Sequence, residues 1–176
     1  AITLESMLFS ERVHIEGPEV TEYACSGTPV DCVKLAMNKL LARKPDLCVS
    51  GINHGANSSV NVLYSGTMAA AIEGAIAGVP SIGFSLLDYA QDADFSQSED
   101  HVLRIAHHAL ESGLPSGICL NVNIPKLSRE QIKGVKVCRQ SDGHWVEDFD
   151  ERMNMSSSEI MIEWFKDNAN LNKNGT

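Results

Sequence analysis

The chain has 176 residues, of which 43% are hydrophobic and 21% are charged, a composition typical of one compact globular domain. Fourteen basic residues against 23 acidic ones give a net charge of −9, which argues against binding to a nucleic-acid polymer. Because its apolar runs are shorter than the roughly 18 residues of a membrane span, we expect no association with a membrane. The five cysteines form no C-x-x-C pair, which argues against a zinc knuckle and favours free thiols in the cytoplasm.

The first predicted helix begins at Thr28. Thr28 suits the N-cap, Pro29 suits the first helical position, and Asp31 lies at the third, where its carboxylate meets the positive end of the helix dipole. Apolar residues then recur at helical spacing as far as Pro45, which ends the helix.

Strand and helix patterns alternate along the rest of the chain. The predicted strands are residues 1–4, 46–50, 81–86, 118–124 and 135–138. The predicted helices are an alanine-rich segment at 67–77 and an amphipathic segment at 98–112. This alternation predicts an α/β fold with a mainly parallel sheet and helices on both faces.

The glycine-, asparagine- and serine-rich loop at 51–66 is where we expect the chemistry. In parallel α/β sheets, ligands bind beyond the carboxyl ends of the strands, and this loop joins such an end to the next helix. Ser65 and Thr67 offer hydroxyl donors, and Gly66 allows close backbone approach, so the start of that helix could hold a phosphate. Equally, Ser65 or Thr67 could do no more than cap the helix.

Three further side chains of this loop leave alternatives open. Asn53 and Asn57 could ligate a hard cation through their amide oxygens, or they could adopt turn conformations, which residue type alone favours. His54 could act as a general acid, although a loop histidine is more often a bystander. The acidic runs at 92–94 and 147–151 are interpreted as solvated faces, so the sequence assigns no catalytic residue.

Three joined motifs resemble the SurE family of stationary-phase survival proteins: CSGTPVDCV at 25–33, VSGINHGAN at 49–57 and YSGTMAAAIEG at 64–74. The likeness continues through NVNIP at 121–125 and IKG at 132–134. It therefore covers residues 1–152, which we interpret as one Rossmann-like α/β domain, followed by a divergent tail at 153–176. The resemblance implies a metal-dependent phosphatase of nucleoside 5′- and 3′-monophosphates, active on short polyphosphate as well, that forms homo-oligomeric dimers or tetramers.

The resemblance also implies roles for individual residues. Asn53 would be a ligand of the divalent metal ion, Mg²⁺ or Mn²⁺, while Asn57, Ser65, Gly66 and Thr67 would bind the substrate and its phosphate. The two adjacent aspartates of the family's metal site, and its usual C-terminal arm, have no counterpart in the 176 residues. We therefore expect these residues alone to be inactive. The alternative is a non-catalytic module that binds nucleotide or phosphate, or that assembles oligomers.

The tail at 153–176 has a helix pattern. Ser156 and Glu159 have the spacing of a capping box, and Ile160, Trp164 and Phe165 fall on one helical face. The tail is therefore predicted to contain a short docked helix with a frayed polar end.

Overall fold

A computed structural model of the chain describes residues 2–14, 20–143, 147–153 and 160–166. Its contacts form two compact units, Ala1–Gln140 and Ser141–Thr176, where composition suggests a single domain. The α/β fold predicted from sequence lies in the first unit. Among the described residues, no helix is long and apolar enough to cross a membrane.

The first unit begins with a small antiparallel pair, β1 (Ser10–Val13) and β2 (Glu22–Cys25). The predicted strand at residues 1–4 is wrong, because residues 2–4 have no regular structure, while residue 1 is not among the described residues. The physical reason is visible at Thr3, whose backbone N–H donates to the Asp31 carboxylate at 3.1 Å. The Asp31 side chain thus accepts the hydrogen bond that the Thr3 N–H would donate to a neighbouring strand if this segment were a strand.

Helix α1 (Pro29–Leu35) begins where the sequence predicts, with Thr28 as its N-cap. Thr28 Oγ1 accepts a hydrogen bond from the Asp31 N–H at 3.3 Å, and the Asp31 carboxylate accepts one from the Thr28 N–H at 2.8 Å. These reciprocal bonds form a capping box. The helix continues as one π-helical segment, Ala36–Leu40. It therefore ends before Pro45, where the sequence predicts its end.

The main sheet of the first unit is parallel, as predicted. It consists of β3 (Cys48–His54), β4 (Ser81–Leu87) and β5 (Cys119–Pro125), in that order. β3 extends beyond the predicted end at residue 50, and its pairing with β4 shifts between Ser50 and Asn53. The shift lies at Gly51, whose φ of +110° suits glycine and interrupts the regular ladder.

Helices cover both faces of this sheet, as the sequence predicts. On one face, α2 (Gly66–Ile76) approaches so closely that a Cβ at Gly74 would lie 2.4 Å from Ser81 Oγ. The small residues of α2 are what permit this contact. On the other face, α3 (Glu99–Ser112) contributes Ala109 to the buried apolar core. The remaining buried members of that core are Ile82, Phe84, Leu86 and Ile124.

The predicted strand at residues 135–138 is wrong. The chain has no regular structure there, and Val135 and Val137 are 64% and 95% exposed. Apolar residues at alternate positions favour a strand only when a neighbouring strand and a core accept them.

The predicted helix of the tail is also wrong. In the second unit, β6 (Glu147–Met153) pairs antiparallel with β7 (Ile160–Lys166), so the residues assigned to a helix face form a strand. Ser156 and Glu159, the predicted capping box, lie outside the described residues. β7 takes its hydrogen bonds from β6, a pairing that local helical spacing does not reveal. The division of the chain at residue 152 stays a prediction.

Candidate functional site

The carboxyl ends of the three parallel strands bring polar side chains into one row. Asn53 of β3 pairs in register with Ser85 of β4, and Ser85 pairs with Asn123 of β5. Residues in register on neighbouring strands point to the same face of a sheet, here the face covered by α2. Together with Asn57 and Asn121, these side chains form what we call the rim cluster.

Asn57, in the loop after β3, holds the rim cluster together. Its Nδ2 donates to Asn53 Oδ1 and to Ser85 Oγ, each at 2.7 Å, and its backbone N–H donates to Asn123 Oδ1 at 2.8 Å. Asn57 is only 4% exposed. A buried polar group without a hydrogen-bond partner lowers the stability of the fold. These hydrogen bonds therefore hold the loop against the strand ends.

Asn53, the predicted metal ligand, is engaged through both sides of its amide. Its Oδ1 accepts from Asn57 and, at 2.9 Å, from Ser85 Oγ. Its Nδ2 donates to the carbonyl oxygens of His54 at 2.8 Å and Gly55 at 3.1 Å. A cation at Oδ1 would displace one of two donors, so the role of Asn53 as a metal ligand stays a prediction.

The donors around Asn53 show how well the rim cluster fits a divalent metal ion. They are amides and one hydroxyl, which carry no charge, whereas Mg²⁺ and Mn²⁺ sites are built largely on carboxylates. Within the described ranges, no group of three or more His, Cys, Asp or Glu side chains could hold a metal. The described residues therefore do not form a divalent-cation site by themselves.

A carboxylate does follow β4, but it is already paired. Asp88 is 7% exposed and accepts hydrogen bonds from Lys126 Nζ at 2.9 Å and from the Ala90 N–H at 3.1 Å. The hydrogen bond from Lys126 holds the pKa of Asp88 below its usual value. Asp88 therefore stays ionised with Lys126 beside it, while its backbone carbonyl accepts from the Gly55 N–H at 3.0 Å.

His54, the histidine considered as a general acid, is exposed at the end of β3. Its ring meets the ring of Phe95 edge-on, with 4.9 Å between the ring centroids. This is a packing contact of the kind that aromatic rings prefer. The structure thus places His54 in an aromatic contact, and a catalytic role for it is not assigned.

The start of α2 combines the predicted phosphate-binding residues. The helix begins at Gly66, and Ser65 is its N-cap, with Ser65 Oγ accepting from the Met68 N–H at 3.1 Å. Capping by Ser65 is therefore confirmed. The N–H groups of Gly66 and Thr67 belong to the first turn, where a helix offers them no carbonyl acceptor, and this turn contains no acidic residue. Such a helix start attracts anions.

This helix start lies over β4. A Cβ at Gly83 would lie 3.5 Å from Thr67 Cγ2, so the methyl group of Thr67 faces the strand two positions before Ser85 of the rim cluster. The start of α1 is also close, because a Cβ at Gly66 would lie 3.1 Å from Pro29 Cγ. The structure therefore brings Ser65, Gly66 and Thr67 to the same end of the sheet as Asn53 and Asn57.

Sequence reasoning did not assign three members of the rim cluster to the site. Ser85 hydrogen-bonds to both Asn53 and Asn57, Asn121 Nδ2 donates to the Asn57 carbonyl, and Asn123 Nδ2 donates to Asn121 Oδ1 at 3.0 Å. The sequence feature that could have indicated these residues is the presence of polar side chains in β4 and β5, two strands that are otherwise apolar. Their meeting with Asn57 depends on strand register, which the sequence alone does not show.

Comparison with known proteins identifies similar chains. The family model described as survival protein SurE matches residues 1–147. The 5′-nucleotidase SurE of Christiangramia forsetii is 58% identical over 160 residues, which cover 90% of this chain and 62% of that protein. The 5′-nucleotidase SurE of Flavobacterium psychrophilum is 57% identical over 152 residues, covering 86% and 59%.

A solved structure is similar as well. The crystal structure of the SurE protein from Aquifex aeolicus matches with a TM-score of 0.78 and 33% identity, over 94% of this chain and 65% of that one. The chain spans about three fifths of the length of the curated relatives it matches.

Proposed function

This chain belongs to the SurE family, and on that premise we propose that it serves a phosphatase that hydrolyses nucleoside 5′- and 3′-monophosphates, with short polyphosphate as a further substrate. The observation that carries the proposal is the 58% identity, over 90% of the chain, to a protein named 5′-nucleotidase. The names of the relatives favour an enzyme over a non-catalytic binding or assembly module.

We place the substrate phosphate at the start of α2. The N–H groups of Gly66 and Thr67 and the hydroxyl of Thr67 are the donors, and the helix dipole adds positive potential at the same point. Ser65 holds the first turn in shape through its cap to Met68. Donors that are fixed before the reaction stabilise negative charge on the phosphate without the cost of reorganising.

The rim cluster supports this site by holding the loop after β3. Asn57 would line the substrate position while its side chain remains bonded to Asn53 and Ser85. A loop fixed by the three hydrogen bonds that Asn57 donates presents the same surface to each substrate, which favours binding.

A divalent metal ion, Mg²⁺ or Mn²⁺, is the cofactor that family membership suggests, with Asn53 as one ligand. When bound, such an ion would supply positive charge to the phosphate oxygens. The described donors are uncharged, so carboxylates from outside them would be required. We therefore derive no step of the reaction through the metal, and we expect the 176 residues alone to bind Mn²⁺ weakly.

We further propose that the protein works in the cytoplasm as a homo-oligomer, a dimer or a tetramer. The five cysteines are all free, as expected for a reducing compartment. Neither a nucleic-acid polymer nor a membrane is among the proposed partners.

Phosphate release from adenosine 5′-monophosphate with Mn²⁺ tests the proposal. The 176-residue chain is compared with a chimera in which the N-terminal segment of the C. forsetii relative precedes it. We expect release by the chimera and little or none by the shorter chain. Turnover by the 176 residues alone would contradict the expected need for further ligands. Absence of turnover in both forms, with Mg²⁺ and with Mn²⁺, would contradict the enzyme assignment.

A further inference from the structure

Tyr89, two residues beyond the end of β4, packs against the loop that follows β3. Its hydroxyl oxygen accepts a hydrogen bond from the Ala56 N–H at 3.3 Å. One edge of its ring lies on Gly55, where a Cβ would be 2.8 Å from Tyr89 Cδ1 and 2.9 Å from Tyr89 Cζ. Only glycine fits beneath this ring, and the φ of +75° at Gly55 suits glycine as well. The tyrosine thus contacts two consecutive residues of the loop.

The backbone around Tyr89 is itself held in place. The carbonyl of Asp88 accepts from the Gly55 N–H at 3.0 Å, so the residue before Tyr89 is bonded to the same loop. The Asp88 carboxylate accepts from the Ala90 N–H at 3.1 Å and from Lys126 Nζ at 2.9 Å. These bonds tie the residues on both sides of Tyr89 to each other and to the chain just after β5. The ring is therefore carried by a fixed stretch of backbone.

Burial in the core does not account for the contacts of Tyr89. Tyr89 is 63% exposed, whereas Gly55 beneath it is buried and Asn57, two residues further along the loop, is 4% exposed. A ring that remains mostly in water gains little from the hydrophobic effect. Its contribution lies in covering and holding the loop.

The residues that the tyrosine contacts are bonded to the rim cluster. The Gly55 carbonyl accepts from Asn53 Nδ2 at 3.1 Å. Ala56 immediately precedes Asn57, whose N–H donates to Asn123 Oδ1 at 2.8 Å. A shift of the backbone at residues 55–56 would therefore turn the Asn53 amide and draw the Asn57 N–H away from its acceptor.

We propose that Tyr89 is a positioning residue, which sets the path of the loop at residues 55–56 and, through it, the place of Asn57 in the substrate site. This inference rests on the proposed function, in which Asn57 lines the substrate position and the phosphate lies at the start of α2. That helix start has its own cap at Ser65, so Tyr89 affects the part of the substrate beyond the phosphate.

Ligand binding to the 176-residue chain tests the positioning role. Calorimetry with adenosine 5′-monophosphate and with inorganic phosphate compares wild type with Tyr89→Ala, with Tyr89→Phe and with the control Tyr23→Phe, which alters a tyrosine of β2. We expect the affinity for adenosine 5′-monophosphate to fall about tenfold in Tyr89→Ala and about threefold in Tyr89→Phe, which keeps the ring on Gly55. The affinity for inorganic phosphate, and both affinities in Tyr23→Phe, should stay at wild-type values.

Hydrogen exchange measured by NMR separates positioning from direct contact with the substrate, and it needs no ligand. The informative group is the Asn57 N–H, because its own acceptor is Asn123 and not Tyr89. We expect its exchange to be about tenfold faster in Tyr89→Ala than in wild type, with a smaller change in Tyr89→Phe. The thermal unfolding midpoint of Tyr89→Phe should match that of wild type within about 2 °C, because the exposed ring stays in place.

Three outcomes would overturn the positioning role. The first is unchanged exchange at Asn57 in both Tyr89 variants, whatever the binding results. The second is wild-type affinity for adenosine 5′-monophosphate in Tyr89→Ala although Asn57 exchanges faster. The third is a lower unfolding midpoint with an equal loss of affinity for both ligands, which would indicate a structural role only.

Failure of the wild-type chain to bind either ligand would contradict the proposed function instead. Exchange at Asn57 would still decide whether Tyr89 holds the loop, because that measurement is made without ligand.

Discussion

The starts of α1 and α2 lie side by side, and both are the positive ends of helix dipoles. They differ in whether the chain itself places an anion there. At α1, the Asp31 carboxylate accepts from the Thr3 hydroxyl at 2.6 Å and from the Thr28 N–H at 2.8 Å, and Pro29 has no N–H to offer. At α2, Ser65 caps one N–H, and no acidic residue enters the first turn. A helix start is thus open to an external anion only where the chain does not supply its own.

The electrostatics of Asp31 confirm that its site is closed. The Asp31 residue is 2% exposed, and hydrogen bonds, first from the Thr3 hydroxyl and then from Thr28, hold the pKa of its carboxyl well below its usual range. A buried anion of this kind repels a second one. The start of α1 therefore has a structural task, while the first turn of α2 contains no such anion, as the proposed phosphate site requires.

The largest expected effect comes from giving α2 the charge that α1 already has. Thr67→Asp places a carboxylate in the first turn, where the dipole stabilises it and where it repels a phosphate. We expect the affinity for inorganic phosphate and for adenosine 5′-monophosphate, measured by calorimetry, to fall more than about a hundredfold, since the donor is replaced by a like charge. The unfolding midpoint should not fall. Unchanged affinity would remove the start of α2 as the phosphate site.

A smaller effect is expected when only the hydroxyl is removed. Thr67→Val keeps the shape of the side chain, including the methyl group facing Gly83. Loss of one hydrogen bond to a charged group costs about 1.5 kcal/mol, which corresponds to roughly a tenfold loss of affinity. Thr67→Ser, which keeps the hydroxyl, is the matched control and should bind nearly as wild type does. A loss in Thr67→Ser without a loss in Thr67→Val would assign the effect to the methyl group and contradict the role of the hydroxyl.

The closed start of α1 predicts a dependence of stability on pH. Because the pKa of Asp31 is lower in the folded than in the unfolded chain, its contribution is fully present above the unfolded value of about 4 and is lost as the pH falls toward the folded value. Urea unfolding of wild type should therefore show falling stability below about pH 4. Asp31→Asn should be less stable than wild type at pH 7, and the gap should narrow at pH 3. A constant gap would contradict the assigned cause.

The smallest expected effect comes from removing the N-cap side chains, and it distinguishes a loss of helix stability from a loss of phosphate affinity. Thr28→Ala and Ser65→Ala each remove an N-cap, so each should lower the free energy of unfolding by about 1 kcal/mol. Only Ser65→Ala should also weaken phosphate binding, because it loosens the open helix start. Thr28→Ser and Ser65→Thr keep the caps and serve as controls. If Thr28→Ala weakens phosphate binding as much as Ser65→Ala does, the two helix starts are not distinct in function.

Local chemistry made the two helix starts predictable from sequence. Thr28, Pro29 and Asp31 act within one turn of chain, so their residue types are enough to place the start of α1. The start of α2 was displaced by one residue, because Ser65 and Thr67 are both good caps and only the structure shows that Ser65 bonds to the Met68 N–H.

Non-local pairing explains what the sequence did not show. Ser85, Asn121 and Asn123 join the rim cluster only because three strands stand in register. The segment at 160–166 fits both a helix and a strand by pattern, and its antiparallel partner at 147–153 decides the outcome. The shift at Gly51 hid the second half of β3 in the same way, since a strand that continues past an irregular glycine looks like a loop.

The seam between α2 and β4 has a consequence for mutational tolerance. A Cβ at Gly83 would lie 2.5 Å from Met68 Sδ, so a larger residue there would have to displace the buried side chain of Met68, a residue in the first turn of α2. Gly83 thus leaves room for the Met68 side chain beneath the proposed phosphate site. A variant at this position would disturb that packing without altering any donor, which makes inner packing, as well as surface chemistry, a constraint on how this protein can evolve.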